Sequence, residues 1–176
     1  MLRPATPVDT PALVALGTAT GLFQPLEAEA LLGQTLDDLH AGRLAEGHLA
    51  WLSTDDPAGA PSGWVYFSPE AKADQVWQLW WIGVAPARQG RGIGDELLRF
   101  VEDHVRAAGG RLLLIETSSL PALERTRHFY AKRGYTACGR VPDYYGDGDD
   151  KVIYAKRMAP RGSDAVLAAP LPGVLP

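Results

Sequence analysis

The residues that most narrow the choice of fold lie between Val76 and Arg106. Val76 to Val84 is dense in aromatic and β-branched side chains, a composition suited to a pleated, half-buried surface. Pro86 closes that run, because proline has no amide to give to a ladder. Glycines then stand at alternate positions, Gly90, Gly92 and Gly94, where they open backbone conformations closed to other residues and bring bare amides up to a ligand. Beyond them Ile93, Leu97, Leu98, Val101 and Val105 form one helical stripe that ends at Gly109-Gly110. Asp95 and Glu96 at its start and His104 and Arg106 at its end match the helix dipole. Strand, glycine turn and helix in this order present unpaired N–H groups at the positive end of a dipole, which favours an anion. Arg88 and Arg91 flank the turn with guanidinium groups suited to phosphate oxygens.

The kind of phosphate ligand is narrowed by what is missing. A P-loop needs Lys and then Ser or Thr after its last glycine, and Gly94 is followed by Asp95 and Glu96. The G-x-G-x-x-G spacing of a dinucleotide site does not occur in this turn. Gln89-Gly90-Arg91-Gly92-Ile93-Gly94 instead resembles the Q/R-x-x-G-x-G/A acyl-coenzyme A motif of the GNAT N-acetyltransferase superfamily. A second stretch, Phe129-Tyr130-Ala131-Lys132-Arg133-Gly134-Tyr135, resembles that family's helix tyrosine followed by a Gly-aromatic pair, matching at Tyr130, Gly134 and Tyr135 and departing upstream at Leu123 and Thr126.

The resemblance implies an α/β (α+β) fold: a mixed, mostly antiparallel central sheet with a splayed parallel pair, flanked by helices. It implies acetyl-coenzyme A as acyl donor, its diphosphate on Arg88, Gln89, Gly90, Arg91, Gly92, Ile93 and Gly94. Its pantetheine arm would enter where the parallel strands part, along Ile82, Gly83 and Val84, with the exposed ladder groups of Ile82 and Val84 pairing with its amides and Val84 N–H near the thioester carbonyl as an oxyanion donor.

The rest of the chain fits one domain, expected over 1–158, followed by a proline- and alanine-rich tail over 159–176. At 176 residues and 46% hydrophobic composition one core is the default. A net charge of −4 speaks against a nucleic-acid surface, and no apolar segment approaches membrane-spanning length. The N-terminus lacks the apolar stretch of a signal peptide, and the single Cys138 excludes an internal disulfide, so a cytoplasmic protein is the simplest account. Cys138 reads as a buried, inert thiol. An ordered apolar tail would need something to rest on, and a second subunit in a homodimer would supply it.

Asp9-Thr10-Pro11 predicts a helix start, with Asp or Thr as cap, and Leu26 to His40 a second helix with Leu31, Leu32, Leu36 and Leu39 on its apolar face. Gly47–Leu52 and Gly63–Ser68 predict strands joined by the turn-rich 55–61. Alternation along Val76–Val84 places Trp77 and Trp81 on one face and Trp80 on the other, as core and pocket wall. Arg111–Thr117 is a continuous apolar run, as expected of a strand buried beside a parallel neighbour. Leu120–Arg133 predicts a helix, and Gly139–Pro142 with Lys151–Arg157 a hairpin around the acidic loop Asp143–Asp150. That loop lacks EF-hand spacing, no metal site is expected, and its charge suits attraction of a positively charged amine.

Acyl transfer to an amine needs a base, because an ammonium has no lone pair, and an acid for the leaving thiolate. Glu116, at the end of the buried strand, is the candidate base, directly or through water; the other account is a carboxylate satisfied by backbone or by Arg127. Tyr130 is the candidate acid, the other account being a core tyrosine. The expected function is N-acetylation of a primary amine of a small molecule or peptide by direct transfer in a ternary complex. The alternative is a non-catalytic acyl-coenzyme A sensor or assembly module of the same fold.

Overall fold

The computed structural model describes residues 1–21, 25–56 and 59–158. The tail 159–176 lies outside the described residues, as do residues 57 and 58 of the expected turn. Seven strands form one sheet: β1 (Leu2–Pro4), β2 (Leu49–Ser53), β3 (Gly63–Pro69), β4 (Val76–Val84), β5 (Leu112–Ser118), β6 (Thr136–Gly146) and β7 (Asp149–Arg157), in the order β1-β2-β3-β4-β5-β7-β6. Every neighbouring pair is antiparallel except β4 and β5. This is the mixed, mostly antiparallel sheet the motifs imply. Between those two parallel strands runs the crossover helix α4 (Ile93–Ala107), preceded in the chain by α1 (Thr10–Ala19), α2 (Pro25–Glu27) and α3 (Gln34–His40), and followed by α5 (Glu124–Ala131).

Each face of the sheet carries its own core. Leu97, Leu98, Val101 and Val105 of α4 pack with Val65, Phe67, Leu79, Leu113 and Ile115 on one side. Leu13, Leu16, Leu32 and Leu36 pack with Leu52, Trp64 and Tyr66 on the other. The helix expected over Leu26–His40 is realised in three contiguous pieces, because Ala28–Gly33 between α2 and α3 is wound as a π-helix. The wider turn shifts the phase of the apolar face. Leu32 and Leu36 are fully buried, whereas Leu31 is 53% exposed and leaves the face it was expected to share.

Four further expectations change. A bulge in β4 at Trp80, where Tyr66 pairs with Trp81 but Phe67 with Leu79, breaks the alternation. Trp77 therefore joins the core beneath α4, and Trp81 crosses to the opposite face, stacked on Tyr66 with ring centroids 5.1 Å apart. Asp9 does not cap α1 with its side chain; its carboxylate turns back to Arg3 at 2.7 Å and to Thr6 N–H at 2.8 Å, pinning β1, a strand the sequence did not announce. Cys138 is exposed, because the register shifts between Ala137 and Gly139. The acidic loop is largely strand: β6 continues to Gly146 before β7 begins at Asp149. Asp143 accepts from Gly148 N–H at 2.8 Å, Asp149 from Ser119 N–H at 3.2 Å, and Asp150 from Asp143 N–H at 2.9 Å, so these carboxylates serve the hairpin.

Candidate active site

The parallel pair β4/β5 is in register only from Val76↔Leu112 to Leu79↔Ile115. Both strands continue beyond that point without pairing to each other, β4 to Val84 along β3 and β5 to Ser118 along β7. The sheet therefore parts where the bulge stands, and a cleft of about 780 Å³ occupies the wedge. Its lining runs from Gly90, Gly92, Ile93 and Gly94 past Ile82–Val84 to Tyr130 and Glu116.

Which backbone groups face the wedge follows from the ladder on the other edge. Ala85 N–H donates to Ser62 O at 2.9 Å, so Ala85, and by alternation Gly83, address β3. The amides of Ile82 and Val84 then point towards β5, where no strand meets them. Val84 O is occupied: Gln89 Nε2 donates to it at 3.3 Å, which ties the motif's glutamine to the strand end. Gly63, opposite Val84, is a residue the sequence did not single out. A Cβ there would stand 2.9 Å from Ile93 Cγ2 and 3.0 Å from Gly83 O, so its absence lets the start of α4 settle onto the sheet.

Of the three turn glycines, Gly90 and Gly92 need their freedom, with φ of +76° and +83°. Gly94 lies inside the first turn of α4 in ordinary helical backbone, and a Cβ there would be 3.4 Å from the Phe129 ring. The first bond of α4 is Glu96 N–H to Gly92 O at 3.0 Å, so the amides of Ile93, Gly94 and Asp95 have no carbonyl four residues back. Arg88 lines the cleft and is ion-paired with Asp55; Arg91 is exposed and does not line it. More cation comes from α5 and the residues after it, since Arg125, Lys132 and Arg133 line the same cleft. Arg125, Lys132 and Arg133 are visible in the sequence, but helical phase alone does not say which face meets the turn. Leu123 and Thr126, the departures from the motif, also line the cleft.

Tyr130 is 3% exposed among Phe129, Tyr135 and Tyr154 and reaches the cleft wall. Burial, and then the neighbouring Tyr154, push its phenol well above the usual tyrosine range, so it stays protonated at neutral pH. Glu116 lines the opposite end and is paired, but with Lys151 Nζ at 2.6 Å from Oε2 rather than with Arg127. Arg127 donates to the carbonyls of Ser118 at 2.7 Å and Leu120 at 2.8 Å. Burial opposes the charge on Lys151, and Glu116 and Tyr144 outweigh it, so its ammonium titrates above the usual lysine range. Among the described residues no cluster of three His, Cys, Asp or Glu side chains could hold a metal ion. Among the same residues no helix is long and apolar enough to cross a membrane.

Chemically, the site combines an anion cradle at one end, backbone donors in the middle, and a protonated phenol and a carboxylate near the far end. Known proteins resemble this chain in sequence and fold. Residues 19–135 match the family model described as "Acetyltransferase (GNAT) family". An amino-acid acetyltransferase of Ralstonia nicotianae is 33% identical over 120 residues, 68% of this chain. That match spans 24% of the Ralstonia protein, so the chain corresponds to about a quarter of that relative's length. A crystal structure from Desulfovibrio desulfuricans, assigned to the GNAT family, superposes with a TM-score of 0.80 at 35% identity over 90% of this chain and 99% of that one. An aminoglycoside 6′-N-acetyltransferase complexed with coenzyme A superposes at 0.71, with 20% identity over 93% and 99% of the two chains, a likeness of fold.

Proposed function

The chain belongs to the GNAT acetyltransferase family, and from that premise we propose that it transfers the acetyl group of acetyl-coenzyme A to a primary amine by direct attack in a ternary complex. The observation that carries this reading is the early end of β4/β5 pairing at Leu79↔Ile115, which leaves the amides of Ile82 and Val84 facing a cleft closed at one end by the Gly90–Gly94 turn. The thioester supplies an activated acyl group. Gly90, Gly92, Ile93 and Gly94 receive the diphosphate with backbone amides, and Arg88, Gln89 and Arg91 flank it. Ile82 pairs with the pantetheine arm through its wedge-facing backbone, Gly83 lines the arm's path while its amide serves β3, and Val84 N–H donates to the carbonyl oxygen as it gains charge.

Tyr130 gives its proton to the departing sulfur. Burial keeps the proton on the phenol in the resting site and makes it a weaker acid than an exposed tyrosine, a cost that transfer to the basic thiolate has to meet. Glu116 takes the proton from the acceptor ammonium, directly or through water, using Oε1; Lys151 engages Oε2. Acetyl-coenzyme A is an intracellular thioester, and a cytoplasmic setting follows from that chemistry.

Release of coenzyme A, read with a thiol reagent across polyamines, peptides, small amines and free amino acids, the class named for the Ralstonia relative, tests the reading. Wild type turns over at least one acceptor, and Tyr130→Phe lowers kcat by about 10²-fold or more with little change in the KM for acetyl-coenzyme A. Tight binding of acetyl-coenzyme A with no turnover of any acceptor would overturn the enzymatic reading in favour of an acyl-coenzyme A binding module.

A further inference from the structure

The turn that would receive the diphosphate carries a charge of the wrong sign. Asp95 is the third residue of α4 and lines the cleft beside the amides of Ile93 and Gly94. A carboxylate there steadies the helix by meeting the positive end of its dipole, and for the same reason it competes with an anionic ligand. Arg133 closes on this carboxylate. Its guanidinium meets Asp95 Oδ1 through Nε and Nη2, donates from Nη1 to Phe129 O at 2.9 Å, and lies over the Phe129 ring with Cζ 3.7 Å from the centroid. Phe129 in turn abuts Gly94, and Tyr130 follows it directly in the chain. The planar fork is thus held on three sides, an arrangement lysine could not reproduce.

We propose that Arg133 is a positioning residue: it neutralises Asp95, so that the start of α4 can accept a diphosphate, and it latches α5, with Tyr130, to that cradle. The proposal rests on the acetyl-coenzyme A reading above. It differs from a direct phosphate contact by Arg133, because its effect passes through Asp95 and disappears when Asp95 loses its charge.

Coenzyme A binding to the full chain, measured by calorimetry for wild type, Asp95→Asn, Arg133→Met and the double variant, separates these accounts. Arg133→Met leaves the carboxylate uncompensated and weakens binding by about tenfold or more. Asp95→Asn, which requires no loss of packing, binds at least as tightly as wild type and within about threefold of it, because removing the carboxylate charge has the same effect as pairing it. The double variant returns to within about threefold of wild type, the signature of a coupled pair. The deficit of Arg133→Met also shrinks as salt rises, which a purely structural loss would not show. A double variant as weak as Arg133→Met overturns the proposal, as does an Asp95→Asn protein that binds more weakly than wild type. Wild type that fails to bind coenzyme A at all removes the acetyltransferase reading instead.

Discussion

Strand β4 behaves as two different strands joined at Trp80. From Val76 to Leu79 it is buried and bonded along both edges, to β3 and to β5. From Trp80 to Val84 it keeps β3, loses β5, and becomes partly solvent-accessible, with Trp80 42% exposed and its indole N–H fixed on Ser68 Oγ at 2.8 Å. The first half is ordinary core, where each buried aliphatic side chain contributes about 2 kcal/mol. The second half gives up a ladder and gains a row of backbone donors facing a cleft. One strand can do both because the bulge reverses which face its side chains address while the β3 ladder resumes beyond it.

The sharpest way to break this comparison is proline at Val84. Its amide faces the wedge, so Val84→Pro is expected to lower kcat by about 10²- to 10³-fold while the thermal midpoint moves little. Gly83→Pro, whose amide serves β3, should instead be plainly destabilised, and equal behaviour of the two variants would refute the assignment of edges. In the paired half the expectation reverses. Leu113→Ala, opposite Trp77, should cost about 3 kcal/mol in denaturant unfolding and leave turnover per folded molecule unchanged.

Away from both halves, Asp9→Asn should cost about 2 kcal/mol, with a defined pH dependence. Arg3, and then Thr6 against the cost of burial, hold the Asp9 carboxyl far below the usual aspartate range. A depressed carboxyl stabilises the fold fully above the unfolded value of about 4. That contribution is lost as pH falls through the lowered folded value, so the gap between wild type and Asp9→Asn should narrow in acid unfolding curves. The smallest effect belongs to Gly92→Ala, which meets nothing within 4 Å but must hold φ near +83°. The expected loss is about 1 kcal/mol in thermal unfolding.

The order strand, turn, helix, strand around the cleft was legible in the residues because each piece is set by near neighbours. Branched and aromatic side chains favour the strand, Pro86 ends it, glycines permit the turn, and a stripe of Leu and Val fixes the face of α4. Gly90 and Gly92 at positive φ and the buried Tyr130 were likewise readable from spacing within a motif. The bulge at Trp80, the π-helical turn that exposes Leu31, and the outward Cys138 were not, since each depends on the register or packing of a partner segment rather than on local preference.

The same holds for the charges. Glu116 could be picked out as a carboxylate at a strand end, but its pairing with Lys151 joins β5 to β7, and the union of Arg133 with Asp95 spans 38 residues. Amino-acid order alone determined the local elements and the chemistry they bring. Tertiary structure alone decided where the sheet parts and which charges offset one another, because those outcomes depend on contacts between groups distant in the chain.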